Sequence, residues 1–383
     1  MTTPLEGIRV LDLTMLYPGP MCTMILADFG AEVIKVEPPR TGDHARTFRF
    51  LFNQINRNKK SVALNLKDPG AQKAFRRLAG TADVVVEGFR PGTTARLGVD
   101  YETLKAINPR IIYCSISGFG QDGPYRDRPG HDINYLGLGG VLGLTKDKGG
   151  KTVVLGFEVA DITSALNSVI GIQAALLARE KTGEGQFVDI SMLDCAVFLL
   201  HNSIGPYLET GDEPMGNMLH TLPHYGIFET SDGEELAIGI AHEDWFWDSM
   251  CDALEMEDYK GLITVERAMR GQELTPLVAE AIRRRPLEEW MRILTDNDVP
   301  HAPLASIVEA LDDPQVRHRD MVVEIKDQEN TVKQLGSPYK LSDTPPRFAS
   351  PPPRLGEQTD ALLQEVGYEA SEIADLREAG AIA

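Results

Sequence analysis

Short apolar runs alternate with amphipathic stretches through the first third of the chain. Residues 8–13 form an apolar run of strand length, and after Tyr17-Pro18-Gly19-Pro20 the stretch 21–29 has a helical pattern that Gly30 stops. Residues 32–37, 61–66, 84–86 and 111–116 repeat the strand signal. Asp68-Pro69 reads as a cap followed by a first-turn proline, opening a helix to Ala79 at a position where the missing N–H goes unused. Strands separated by helices in this rhythm predict βαβ units and a parallel sheet. Ligands of such sheets bind beyond the carboxyl ends of the strands, which places candidate loops at 14–20, 87–92 and 117–123.

Residues 129–143 and 159–180 have helical patterns, the second apolar on most faces. A turn at 181–185 leads into a strand at 187–190 and a helix to about Tyr207. Ser231-Asp232-Gly233 between the runs 225–230 and 236–240 predicts a β-hairpin, because Asp-Gly supplies the positive φ of a tight turn. Helical patterns follow at 244–254, 276–284 and 287–294. The change of composition across 211–217 predicts a large α/β domain over 1–215, a smaller α+β domain over 216–322, and a segment 323–383 that returns to the large domain. Pro345-Pro346 and the three prolines at 351–353 read as an extended strap, since proline breaks regular structure.

Length and charge narrow the function. A chain of 383 residues is too long for one small core, and 42% hydrophobic with 25% charged residues is the balance of a soluble globular protein. Lys+Arg number 38 against 57 Asp+Glu, a formal net charge of −19. That excludes a general nucleic-acid binder, which needs a basic face, but leaves room for a phosphorylated small molecule in a local basic groove. The four cysteines form no CxxC pair, no secretory signal is visible, and no apolar run approaches the roughly 20 residues that span a bilayer. The expectation is a cytoplasmic enzyme with neither membrane nor nucleic acid as a partner.

Candidate chemistry is sparse. Gly118-Phe119-Gly120-Gln121-Asp122-Gly123 fits a dinucleotide fingerprint superficially, but Pro124 follows where a helix should continue. His220 and His224 are four apart with Pro223 between them, so no metal site is expected. His131 lies where a Gly-Pro loop becomes a helix, and Asp161 lies in an apolar helix start. Asp161 reads either as a helix cap stabilised by free backbone N–H groups or as a catalytic carboxylate. Arg40, Lys59, Lys60, Lys67, Arg90 and Arg96 fall beside predicted strand ends, the clustering an acidic protein needs to hold a small polyphosphate.

Residues 4–13, Pro18-Gly19-Pro20 and the stretches 26–37, 57–67, 89–92 and 183–189 resemble those of the family III CoA-transferases, the CaiB/BaiF family, over nearly the whole chain. The resemblance implies a Rossmann-like large domain, an interlocked homodimer and an acyl-CoA substrate, with no cofactor beyond its coenzyme A. By motif it implies CoA contacts at Tyr17, Pro18, Leu64, Asn65, Lys67, Arg90, Arg96, the segment Arg128–His131 with Gly130, and Tyr135. The arginine that often follows Val-Glu in the family is Pro38 here, and Arg40 stands in as the expected phosphate contact.

Two chemistries occur in the family. In the transferases, an aspartate matching Asp161 attacks the thioester, which splits one hard exchange into easier covalent steps. In the 2-methylacyl-CoA racemases, a histidine and an aspartate flank C2 and shuttle its proton through an enolate. Gly130-His131-Asp132-Ile133-Asn134-Tyr135 resembles the racemase motif, and Glu243 resembles a racemase active-site glutamate or else a helix N-cap. Ile162-Thr163-Ser164-Ala165 after Asp161 is transferase-like. The leading expectation is racemisation by His131 and Asp161, with CoA transfer through Asp161 as the alternative.

Overall fold

The computed structural model describes residues 2–147, 149–212, 218–326 and 331–383. Its centre is a sheet of β1 (Arg9–Asp12), β2 (Glu32–Glu37), β3 (Lys59–Ala63), β4 (Val84–Glu87), β5 (Ile112–Ser117) and β6 (Phe187–Ser191). The order is β3-β2-β1-β4-β5-β6, and every neighbouring pair is parallel. The chain therefore winds outward from β1 to β3, returns, and winds the other way from β4 to β6, the doubly wound α/β arrangement. Inner strands are covered on both faces, so β4 reads Val-Val-Val and all of it is buried. Sheets of this kind show apolar runs rather than alternation.

Several boundaries differ from the sequence pattern for identifiable reasons. β3 starts at Lys59, not at 61, because the Lys59 ammonium is neutralised inside the protein by Asp12 at 3.0 Å. Lys59 is therefore no loop cation, and Lys60 pairs with Glu32. The first helix, Pro18–Asp28, takes Pro18 and Pro20 into its first turn, where no N–H is required. The helical stretch expected at 129–143 splits into Asp132–Leu138 and Val141–Leu144, with Gly140 between them at φ +86°. The long helix Val159–Thr182 ends on Gly183 at φ +76°, a left-handed C-terminal stop that glycine adopts without a Cβ penalty.

One helix, Val159–Thr182, has the dimensions of a membrane span. It has 24 residues and a mean hydropathy of 1.3 over its most apolar window, long and apolar enough to cross a membrane by length and composition alone. In the fold its Ala160, Ala165, Val169, Ile172 and Ala175 are buried in the same core as Val84, Val86, Ile112 and Cys114 of the sheet. It is a core helix of the α/β layer.

The chain divides into two compact units, Met1–His201 with Arg317–Ala383, and Asn202–Val316. The boundary expected between 215 and 216 lies outside the described residues. The second unit has an antiparallel sheet of β7 (Tyr225–Glu229), β8 (Glu235–Gly239) and β9 (His301–Pro303), with Gly233 at φ +82° in the predicted turn. Its helices Asp244–Leu254, Gly271–Ile282 and Leu287–Asp296 close a core around the wholly buried Trp247 and Trp290. Trp245 in the first of these helices is exposed.

The segment after 316 is more structured than a strap. β10 (Val322–Lys326) and β11 (Thr331–Leu335) pair antiparallel. Residues 345–354 do lack regular structure, but the helices Thr359–Glu365 and Ala370–Glu378 follow. They bring Leu362, Leu363 and Ile373 into the layer that holds Phe75 and Leu78. Farther on, Ile382 bridges to Leu64, and the Asn65 N–H donates to the Ala381 carbonyl at 2.8 Å.

Candidate active site

The crossovers diverge between β1 and β4, and a cleft of about 490 Å³ opens there. Its walls come from the loop after β1 (Thr14, Met15, Leu16), the loop after β4 (Gly88 to Pro91) and the end of β5. Doubly wound sheets bind their ligands at this topological switch point.

A buried charge network fixes the first loop. Asp12 accepts hydrogen bonds from the Thr14 N–H at 2.9 Å, Thr23 Oγ1 at 2.7 Å and Lys59 Nζ at 3.0 Å. Lys35 Nζ donates to the Thr14 carbonyl and lies 2.8 Å from Asp43 Oδ2. Asp43 in turn accepts the Leu16 N–H at 2.9 Å, which holds Leu16 at φ +66°, a conformation L side chains rarely take. Burial opposes ionisation of Asp12, but Lys35 and Lys59 hold its carboxyl well below the usual carboxylate range. Burial likewise brings the Lys59 ammonium down to about 8, against the pull of Asp12.

Asp161 lies in the first turn of the Val159–Thr182 helix and lines the cleft. It caps nothing. Asp132 supplies the acceptor instead, taking the N–H groups of Ala160 at 2.7 Å and of Asp161 at 3.2 Å on one oxygen. The Asp161 carboxylate is left without a hydrogen-bond donor among the described residues. Burial, then the charges of Asp132 and Glu158, pushes its carboxyl up to about 7. A strongly shifted carboxyl in a cleft is a mark of functional chemistry.

His131 precedes the Asp132–Leu138 helix, is exposed, and lines the same cleft. Its N–H donates to Asn134 Oδ1 at 3.0 Å. Tyr135 is buried with its ring against two glycines. A Cβ on Gly118 would lie 2.4 Å from Tyr135 Oη, and one on Gly130 would lie 2.7 Å from Tyr135 Cε1. Burial and the Asp161 charge push the Tyr135 hydroxyl up to about 12.

Of the residues expected from sequence, Pro18, Arg90, Gly130, His131, Tyr135 and Asp161 share this cleft. Tyr17 lines a separate apolar cavity of about 560 Å³ with Glu158. Arg40, Leu64, Asn65, Lys67 and Arg96 follow β2, β3 and β4 along the carboxyl edge of the sheet, outside the cleft wall. Leu64 is buried, whereas Arg40, Lys67 and Arg96 are exposed. Glu243 belongs to the second unit, at the N-cap of Asp244–Leu254, where its carboxylate accepts the Ala241 N–H at 3.0 Å.

Sequence reasoning placed Ser117 in a candidate loop without singling it out, and it missed Arg126 and Asp132 as parts of the site. Ser117 closes an apolar strand, and Arg126 sits in a charged loop that reads as ordinary surface. Asp132 stood inside the quoted motif, but its bond to a helix 28 residues farther on has no local signal.

Comparison with known proteins gives one consistent answer. Residues 5–359 match the family model CoA-transferase family III. The chain is 34% identical to the succinate–glutarate CoA-transferase of Agrobacterium fabrum, over 95% of this chain and 96% of that one. It is 36% identical to the succinyl-CoA:mesaconate CoA-transferase of Haloarcula marismortui, over 95% and 97%. Among solved structures, a CAIB/BAIF family protein from Brucella suis superposes with a TM-score of 0.85 at 33% identity, covering 96% of this chain and all of that one. The chain is an enzyme that belongs to CoA-transferase family III.

Proposed function

We propose that this enzyme transfers coenzyme A from an acyl-CoA to a free carboxylic acid through covalent intermediates on Asp161. The observation that carries the reading is the Asp161 carboxylate itself, half-buried on the cleft wall and without a donor among the described residues. The names of the relatives, CoA-transferases of succinate, glutarate and mesaconate, support transfer and suggest a dicarboxylic acid as acceptor. The racemase expectation gives way to it, since no relative reported above is named for that chemistry.

In the first step an Asp161 oxygen attacks the thioester carbonyl carbon, the C–S bond breaks, and CoA thiolate leaves a mixed anhydride on the enzyme. The thiolate then attacks the Asp161 carbonyl, forms an aspartyl–CoA thioester and releases the donor acid. The acceptor carboxylate attacks the same carbonyl and expels thiolate. Attack of that thiolate on the acceptor carbonyl gives the new acyl-CoA and free Asp161. No cofactor beyond the CoA of the substrate enters these steps. Pro18, Arg90, Gly130 and Tyr135 hold the acyl-CoA in the cleft, and Tyr17, Arg40, Leu64, Asn65, Lys67 and Arg96 hold the nucleotide part. Glu243 has no step in this sequence.

Hydroxylamine or borohydride trapping after incubation with succinyl-CoA should change the mass of the peptide containing Asp161. Deuterium washing into C2 of a chiral 2-methylacyl-CoA in D₂O, with no Asp161 adduct, would restore the racemase. We extend the proposal to a homodimer, because Ile170 and Leu177 on the core helix are 63% and 70% exposed. A monomer mass by light scattering at micromolar concentration would refute that part.

A further inference from the structure

One hydroxyl in the cleft has no structural partner. Ser117 ends β5, is 6% exposed and lines the cleft, yet its Oγ has no hydrogen-bond partner among the described residues. Leaving a buried hydroxyl unpaired is unfavourable, so such an atom on a cleft wall marks where a ligand completes it.

Arg126 lines the same cleft. Its Nε donates to the Gln121 carbonyl at 3.0 Å, and Gln121 is anchored through Nε2 to Ser115 Oγ at 2.8 Å and through its N–H to Asp189 at 3.0 Å. The base of the guanidinium is thus fixed by an uncharged partner. The carboxylate within ion-pair reach is Asp127, 3.5 Å away with its side chain 78% exposed, where solvent screens the pair. Arg90 and Arg128 line the cleft as well, and neither makes an ion pair among the described residues. Three arginines and one carboxyl, Asp161, therefore line this cleft in a chain of net charge −19.

We propose that Ser117 and Arg126 form an anion subsite, separate from Asp161, that takes the second carboxylate of a dicarboxylic acceptor acid. The proposal rests on the CoA-transfer reading and assigns its acceptor specificity. A planar guanidinium matches a carboxylate in fork geometry, and the Ser117 hydroxyl supplies a further donor. The other anion that could use this chemistry is a phosphate of CoA. Arg126 Nη2 and Arg96 Nη1 both lie beside Gly92, so the affinity for CoA itself is what distinguishes the two anions.

Calorimetry with glutarate on the CoA-saturated protein tests this without turnover, since no acyl donor is present. Wild type should bind glutarate tighter than valerate, its monocarboxylic match, and Arg126→Gln should weaken glutarate about tenfold or more with CoA affinity unchanged. Ser117→Ala should weaken glutarate a few-fold while the unfolding midpoint stays level or rises, because no native hydrogen bond is lost. A fall in CoA affinity in Arg126→Gln would assign the arginine to a phosphate and overturn the proposal. Equal affinity of wild type for glutarate and valerate would overturn it too, whatever the trapping at Asp161 shows.

Discussion

Asp132 sits on the amide of Asp161, its Oδ1 accepting the Ala160 N–H at 2.7 Å and the Asp161 N–H at 3.2 Å. Free amides in a helix's first turn would favour an ionised carboxylate. With two of them taken by a neighbouring acid, Asp161 loses that stabilisation and feels a like charge instead. Reactivity and position thus come from the same contact.

The first consequence is a pH profile. Burial, then Asp132 and Glu158, places the Asp161 carboxyl at about 7, and only the ionised form attacks. kcat/KM should rise with pH through about 7 and level off above it. A flat profile between about pH 5.5 and about 8.5 would contradict the assignment.

Stability should move the other way. An acid whose folded-state pKa is raised contributes stability below its unfolded value of about 4, and loses it as pH rises toward the folded value. Asp161→Asn should therefore raise unfolding stability at pH 8 by roughly 1–2 kcal/mol, allowing for the solvent that reaches the cleft, and leave it unchanged near pH 4. Urea unfolding at the two pH values reads the difference.

Asp132→Asn keeps the acceptor oxygen and removes the charge. The midpoint of the kcat/KM profile should shift down by about half to one unit, with little change in stability. Asp132→Ala leaves two amides without an acceptor and should cost about 1 kcal/mol. Identical profiles for wild type and Asp132→Asn would show that its charge does not reach Asp161.

Lys35→Met tests the network beneath the cleft. It strands the Asp43 charge, leaves Asp12 with Lys59 alone as its cation and frees the Thr14 carbonyl, and breaking a buried pair this way costs about 3–5 kcal/mol. The loop that holds Leu16 at φ +66° loses its anchor, so KM for acyl-CoA should rise more than kcat falls. Equilibrium unfolding and steady-state kinetics check the two halves separately.

Gly118→Ala should force Tyr135 from its place, since the new Cβ would sit 2.4 Å from a buried hydroxyl. Overpacking of this kind costs about 1–3 kcal/mol. Tyr135→Leu should make the second substitution nearly harmless, a non-additivity that a double-mutant cycle measures.

The α/β class, the parallel sheet and the candidate loops were legible because central strands are apolar runs punctuated by glycine and proline. β3 was misplaced because Lys59 and Lys60 are charged, and only the partner Asp12, 47 residues away, makes a buried lysine acceptable. The hairpin of β10 and β11 has an alternating, half-exposed pattern that carries a weak local signal. In the site, Asp161 and His131 could be named one by one, whereas Ser117, Arg126 and the hold of Asp132 depend on side chains that meet only after folding.

The pairing of residues 358–382 with β3 and its surroundings sets an order of events during synthesis. The Gln358 N–H reaches the Ser61 carbonyl at 3.0 Å across nearly 300 positions, and the layer around Phe75 and Leu78 is closed by Leu362, Leu363 and Ile373. While the ribosome makes the intervening residues, that layer stands open with its apolar face in water, and the inserted unit has time to fold first. Contacts of such long separation form last and slowly. A nascent chain stalled before residue 359 would hold all six strands of the sheet and the whole cleft, yet be a substrate for chaperones and proteases before it could act on acyl-CoA.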